Sequence, residues 1–195
     1  MRKLSVRELV LCGLFIALIT VGTFIRIPVG TDVYTLQFLF TLLAGLVLGA
    51  RLGAAAVGAY VILGLIGVPV FASGGGPGYI IQPTFGYLLG FTLQAGINGW
   101  LVRRLGTPRF VSLLLANVAG MVVVYLLGIS YFYYVSNYVI AAPISLWLAV
   151  WYCGILQAPA DFLLCVAAAL IGVRCYRAGI WLEQTETKTW KMKEA

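Results

Sequence analysis

Asp161 is the residue whose type and place most plainly call for chemistry. It stands in Gln157-Ala158-Pro159-Ala160-Asp161-Phe162-Leu163-Leu164-Cys165 and is the single carboxylate inside an apolar run of this 195-residue chain. A charge at bilayer depth costs about 3 kcal/mol on insertion scales, so such a group normally faces a cavity or a partner. Two uses fit: accepting hydrogen bonds from a ligand, or capping the helix that restarts after Pro159, where free N–H groups await an acceptor. Arg26, followed by Asp32, offers a counter-ion for an anion, a headgroup anchor or a local ion pair. Gln37 in Thr35-Leu36-Gln37 stands at the start of an apolar run, where an amide can meet a ligand. Gln94 and Asn98, one helical turn apart, suit either a ligand or the hydrogen bonds that hold helices together in membranes.

Other chemistry is excluded. The chain has no histidine, which removes the commonest general base and metal ligand. No second acid accompanies Asp161 within an apolar run and the candidate serines lack a base, so an intramembrane enzyme is not expected. Neither a catalytic residue nor a metal or cofactor site is assigned. The four cysteines Cys12, Cys153, Cys165 and Cys175 form no C-x-x-C and lie in or beside apolar runs, where thiols behave as small hydrophobes. The glycine run Gly74-Gly75-Gly76-Pro77-Gly78 lacks the G-x-x-x-x-G-K-[ST] spacing of a phosphate-binding loop. Any energy from ATP must therefore arrive through another polypeptide.

The elements that position these residues follow from composition. Apolar residues make up 62% of the chain and charged ones 10%, with mean hydropathy +1.02. A soluble fold of this size could not hide so much apolar surface. The expectation is an all-α integral membrane protein with six transmembrane helices, at about 20 apolar residues per crossing. The runs are Leu9–Ile27, Thr35–Gly49, Leu52–Val68, Pro83–Val102, Phe110–Ile129 and Ser145–Val173. The second is short enough to need burial against its neighbours, and the last is expected to break near Pro159. Met1–Glu8 could pass for the start of a signal peptide. The apolar run after it is too long and carries no small-x-small cleavage site, so it reads as a retained span. Residues 1–182 form the membrane domain and 183–195 a polar cytoplasmic tail.

Charge orients this scheme. With the N-terminus inside, the cytoplasmic pieces hold twelve of the 13 Lys and Arg residues and the outer pieces hold Arg26 alone. That asymmetry places both termini in the cytoplasm, and net charge +7 needs no nucleic acid to explain it. The outer loop between spans 3 and 4, Val68 to Tyr87, combines glycine and proline with apolar and aromatic residues. It reads as a re-entrant lid, because glycine permits close backbone approach and the rest would not stay in water. Ser130–Tyr138 reads as a second outer loop, either an interfacial tyrosine belt or a cavity wall. Gly13-x-x-x-Ala17 and Gly45-x-x-x-Gly49 have the small-residue spacing of close helix contacts.

Three strings together resemble the BioY family: Gly64-Leu65-Ile66-Gly67-Val68-Pro69-Val70-Phe71, the Gly74–Gly78 loop and Pro83-Thr84-Phe85-Gly86-Tyr87-Leu88-Leu89-Gly90-Phe91. Ile27-Pro28, Thr35-Leu36-Gln37 and Pro159-Ala160-Asp161 fit it too, so that the resemblance runs from about Val6 to Val173. It implies a biotin-binding S component of an energy-coupling factor (ECF) transporter in the plasma membrane of a prokaryote. Such a subunit docks on a transmembrane coupling protein that is bound to two ATPase subunits. The family's docking motif on span 1 falls on Gly13 and Ala17; the candidate substrate-binding residues are Asp161, Tyr87, Gln37, Thr84, Phe71, Gly75, Gly76 and Arg26. Asp161 would accept the ureido N–H bonds of biotin, with Tyr87, Gln37 and Thr84 completing them. Many relatives read Pro-Gly-Asp-x-x-Lys where this chain has Ala160 and Leu164. Arg26 is then the outer cation left to meet a ligand carboxylate. Lipoate or dethiobiotin in the same architecture, and a structural membrane protein without a ligand, are the competing readings.

Overall fold

The computed structural model describes residues 4–29, 32–106 and 108–182, with backbone alone at 26–29 and 32–34. The chain is mainly helical: α1 (Val6–Phe24), α2 (Gln37–Leu65), α3 (Phe85–Leu105), α4 (Phe110–Tyr138), α5 (Leu146–Val150) and α6 (Ala158–Arg177). A short hairpin of β1 (Arg26–Val29) and β2 (Asp32–Thr35) joins α1 to α2. Four stretches are long and apolar enough to cross a bilayer: Val6–Phe24, Gln37–Leu65, Phe110–Tyr138 and Leu146–Arg177.

Local chemistry sets the helix ends. Ser5 and Glu8 form a reciprocal capping box on α1: the Glu8 N–H donates to Ser5 Oγ at 3.3 Å and the Ser5 N–H donates to Glu8 Oε2 at 2.6 Å. Within α2, Gly49 has φ +79°, so residues 37–48 and 50–65 are two helical arms meeting at a kink. The first arm is the short run expected to need burial, and every residue from Thr41 to Gly49 is buried. Before α6 the chain makes a π turn at Trp151–Ile155. Pro159 accounts for the break, since it donates no N–H and its ring would clash with the carbonyl four residues back, that of Ile155.

Two expectations are corrected. Ser130–Tyr138 is not a loop but the end of α4, which runs unbroken to Tyr138. That segment contains neither glycine nor proline, so nothing in it stops a helix. The hairpin was also not anticipated; its antiparallel register pairs Arg26 with Thr35 and Ile27 with Tyr34. The tail at 183–195 lies outside the described residues.

The core sits where α2 packs on α3, α3 on α4, α1 on α2, and α6 on both α2 and α4. Polar side chains lock the centre of this bundle. The buried amides of Asn98 and Asn117 meet at 2.9 Å, and Asn117 donates to the Cys165 carbonyl at 2.9 Å, linking α3, α4 and α6. Bonds of this kind contribute about 0.6 kcal/mol each on average in membranes. The Arg7 guanidinium donates to the Gly179 carbonyl at 3.2 Å, so the start of α1 and the end of α6 lie at one end of the bundle. The last turns of α3 and α6 carry Arg103, Arg104, Arg174 and Arg177. The hairpin and the 66–84 loop close the other end.

Close backbone contact at the kink fixes how α2 meets α3. A Cβ on Gly99 would collide with the Ala50 nitrogen and lie 2.7 Å from Ala50 Cα, and one on Gly45 would lie 2.9 Å from Ala95 Cα. Backbone cannot move aside as a flexible side chain can. Gly99→Ala is therefore expected to cost about 1–3 kcal/mol, read as a fall of several degrees in thermal unfolding of the purified protein. Gly13→Ala, at an exposed position with nothing within 4 Å of the new carbon, is the matched control and should leave the transition in place or raise it slightly, since alanine favours the helix.

Candidate functional site

Asp161 lies in the first turn of α6 and Gln157 one turn before it, so both project from one face of the chain. Opposite them stand Tyr87, Leu88 and Phe91 of α3, Val124 of α4, and Gln37, Phe38 and Tyr60 of α2. Thr35 and, from the loop, Ala72, Ser73, Tyr79, Gln82 and Thr84 complete a cavity of about 270 Å³. Aromatic and aliphatic side chains thus share the lining with the polar Thr35, Gln37, Ser73, Gln82, Thr84, Gln157 and Asp161. Apolar surface with convergent polar groups is what a small-molecule site needs.

Hydrogen bonds decide what each polar group can still offer. The Tyr125 hydroxyl donates to Asp161 Oδ2 at 2.7 Å. No bond from Asp161 to a free helix N–H is present among the described residues, so the carboxylate faces the cavity rather than capping α6. Tyr87 donates its hydroxyl proton to the Cys153 carbonyl at 2.9 Å. Its oxygen can therefore only accept from a ligand, the same polarity as the carboxylate. The Gln37 amide donates to the Tyr60 hydroxyl at 3.2 Å, and Tyr60 donates to the Val70 carbonyl at 2.9 Å. Tyr60, on the second arm of α2, thereby ties the first arm to the start of the loop.

The loop is built to stay in place. The Gly76 N–H donates to the Gly64 carbonyl at 2.7 Å, tying the glycine run to the end of α2. Phe71 is 1% exposed and its ring packs against Tyr79, with centroids 4.5 Å apart, and against Tyr60 at 5.6 Å. The Tyr131 hydroxyl donates to the Ile80 carbonyl and anchors the far side of the loop to α4. Gly75 sits so near the Val68 carbonyl that a side chain there would strike it.

The sequence-derived candidates separate on this geometry. Gln37, Thr84, Tyr87 and Asp161 come together around the cavity. Phe71, Gly75 and Gly76 are not among its lining residues; they shape the loop that supplies Ala72, Ser73 and Tyr79. Gln94 and Asn98 are fully buried away from it, in the helix-packing role. The side chains of Arg26 and Asp32 lie outside the described residues, though the backbone register sets Arg26 opposite the cavity residue Thr35. Gly13 and Ala17 are exposed on α1, distant from the cavity lining. Tyr125, Tyr60 and Gln157 were not anticipated. Gln157 could have been found from its i,i+4 spacing to Asp161, whereas nothing local marks Tyr60 or Tyr125.

Fold and site together define a multi-pass helical membrane protein enclosing a small-molecule cavity. A family model described as the BioY family matches residues 1–180, and the chain belongs to that family. It is 38% identical over 178 residues to a protein of Lysinibacillus sphaericus named "Probable biotin transporter BioY", covering 91% of this chain and 90% of that one. It is 39% identical over 170 residues to "Biotin transporter BioY" of Thermotoga maritima, covering 86% and 95%. A solved structure described as the S-component for biotin from an ECF-type ABC transporter shares the fold, with TM-score 0.78 and 24% identity over 88% of this chain and 92% of that chain.

The loop geometry makes a prediction of its own. Gly76 has φ +109°, a region that β-branched residues all but avoid, at a cost of about 1–3 kcal/mol. Gly76→Val should release the loop from Gly64 while the helices stay folded. Limited proteolysis should then cut between Val68 and Gln82 faster than in the parent, with little change in thermal unfolding.

Proposed function

We propose that this chain is the substrate-capture subunit of a biotin uptake system, energised by two partner ATPase subunits through a transmembrane coupling protein. The observation that carries the reading is the match to relatives named biotin transporters over about nine-tenths of the chain, joined to a cavity with one acid at its end. The chemistry agrees with it. Biotin has a compact bicyclic head suited to Phe38, Phe91, Leu88 and Val124, and two ureido N–H donors suited to acceptors. Asp161 and the Tyr87 oxygen supply acceptors, and the amides of Gln82 and Gln157 can serve the ureido carbonyl. Thr84 and Gln37 complete the polar lining. Phe71, Gly75 and Gly76 act by holding the lid, and Arg26, paired in register with Thr35, meets the ligand carboxylate.

The same reading makes the protein a six-span subunit of a prokaryotic plasma membrane, counting the two arms of α2 separately and α5 with α6 as one crossing. Both termini are cytoplasmic and the lid dips back from outside. This is supported by the position of the cavity opposite the arginine-bearing ends of α3 and α6, since cations favour the cytoplasmic face. It performs capture rather than catalysis.

Purified protein in lipid nanodiscs should bind radiolabelled biotin with one site per chain, and an excess of lipoate should not displace it. Loss of a charge-assisted hydrogen bond, about 1.5–3 kcal/mol, predicts a 10- to 150-fold weaker Kd for Asp161→Asn and at least as great a loss for Asp161→Ala. Folded protein that does not bind biotin, or that binds lipoate in preference, would overturn the ligand assignment.

Docking on the coupling protein is assigned to Gly13 and Ala17. Both are exposed one turn apart on α1, where small side chains allow another helix to approach closely. Ala17→Leu should abolish co-purification with the coupling protein and leave biotin binding intact. A normal yield of complex would remove this face from the docking surface.

A further inference from the structure

Val124 and Tyr125 are neighbours on α4 with different tasks. Val124 lines the cavity, while Tyr125, turned by about 100° around the helix, does not line it and reaches α6 instead. Its hydroxyl donates to Asp161 Oδ2 at 2.7 Å, the short distance of a hydrogen bond to a charged acceptor. Among the described residues this is the one hydrogen bond made by the carboxylate, so Oδ1 carries none while Asp161 lines the cavity. The Tyr125 ring is half-buried against the core, which leaves the phenol little freedom to turn elsewhere.

We infer that Tyr125 is a positioning residue for ligand capture: it ties down one oxygen of Asp161 and thereby presents the other, in a single orientation, to the ligand's N–H donor. The inference rests on the proposed role of Asp161 as the acceptor for biotin. A carboxylate on a two-torsion side chain otherwise samples several rotamers, and a ligand must then select the productive one. Donation from Tyr125 removes that selection before the ligand arrives. It also supplies a partner for one oxygen of an acid whose burial without a partner would be costly. Tyr87 is arranged in a parallel way, its proton held by Cys153 so that its lone pairs face inward. Two acceptors are thus set by groups behind the cavity wall.

The test is a double-mutant cycle on the full chain in nanodiscs, with radiolabelled biotin as the probe and unfolding without ligand as the check on folding. Tyr125→Phe deletes only the hydroxyl and should weaken biotin binding about tenfold, the loss expected for one such bond. In the Asp161→Ala background, which removes the acceptor oxygen that asparagine would keep, the same change should alter Kd by less than about twofold, because coupled residues are non-additive. A tenfold loss in both backgrounds would show that Tyr125 acts only on general structure and would overturn the inference. So would an unchanged Kd for Tyr125→Phe beside a weakened Asp161→Asn. An unchanged Kd for Asp161→Asn itself would instead overturn the reading of Asp161, and this inference with it. Should Tyr125→Phe fail to fold alone, the comparison of Asp161→Ala with the double variant remains: a further tenfold loss there overturns the inference, and neither protein leaves a buried carboxylate without its donor.

Discussion

Backbone carbonyls that no helix satisfies must find a donor wherever water is scarce, and this requirement governs the whole cavity end of the molecule. The chain leaves helical geometry at the 66–84 loop and at the π turn before α6. Each departure frees carbonyl oxygens beside the cavity. Tyrosine hydroxyls from neighbouring helices meet three of them: Tyr60 at Val70, Tyr87 at Cys153 and Tyr131 at Ile80. Tyrosine suits the task, since its ring packs as a hydrophobe and its single proton lies at the tip. Irregular backbone can then stand beside the cavity with these carbonyls paired.

The same device sets polarity inside the cavity. A phenol that has given its proton to a carbonyl behind it can only accept from in front. Tyr87 is in that state, and Tyr125 places a proton on one side of Asp161 in the same manner. The interior therefore favours a ligand rich in N–H donors, with the glutamine amides able to donate in return. Apolar walls supply contact area but little discrimination, so the few polar groups and their direction carry the selectivity.

The centre of the bundle answers a different demand. There α2 and α3 touch backbone to backbone at Gly99 and Ala50, and the Asn98–Asn117–Cys165 chain spans three helices. These contacts lie outside the cavity lining. They keep α3, α4 and α6 in fixed relation, so that Tyr87, Tyr125 and Asp161, drawn from those three helices, meet at the cavity end.

Much of this was legible in the residues alone. Hydropathy requires membrane helices, the lone acid marks α6, and the glycine-proline run marks the irregular 66–84 loop. These follow from properties of single residues and short windows, and they needed no partner to read. The hairpin at Arg26–Thr35 and the helical end of α4 were less legible, because interfacial tyrosines and turn residues look alike in helix, strand or loop. Tertiary structure alone decided that Gln37 joins the cavity while Gln94 and Asn98 join the core, though all three are amides on apolar helices. It also decided that Tyr125 meets Asp161 across 36 residues. Periodicity states which side chains share a face of one helix; which face then meets which neighbour depends on how all the helices pack, and that is settled by contacts far apart in the chain.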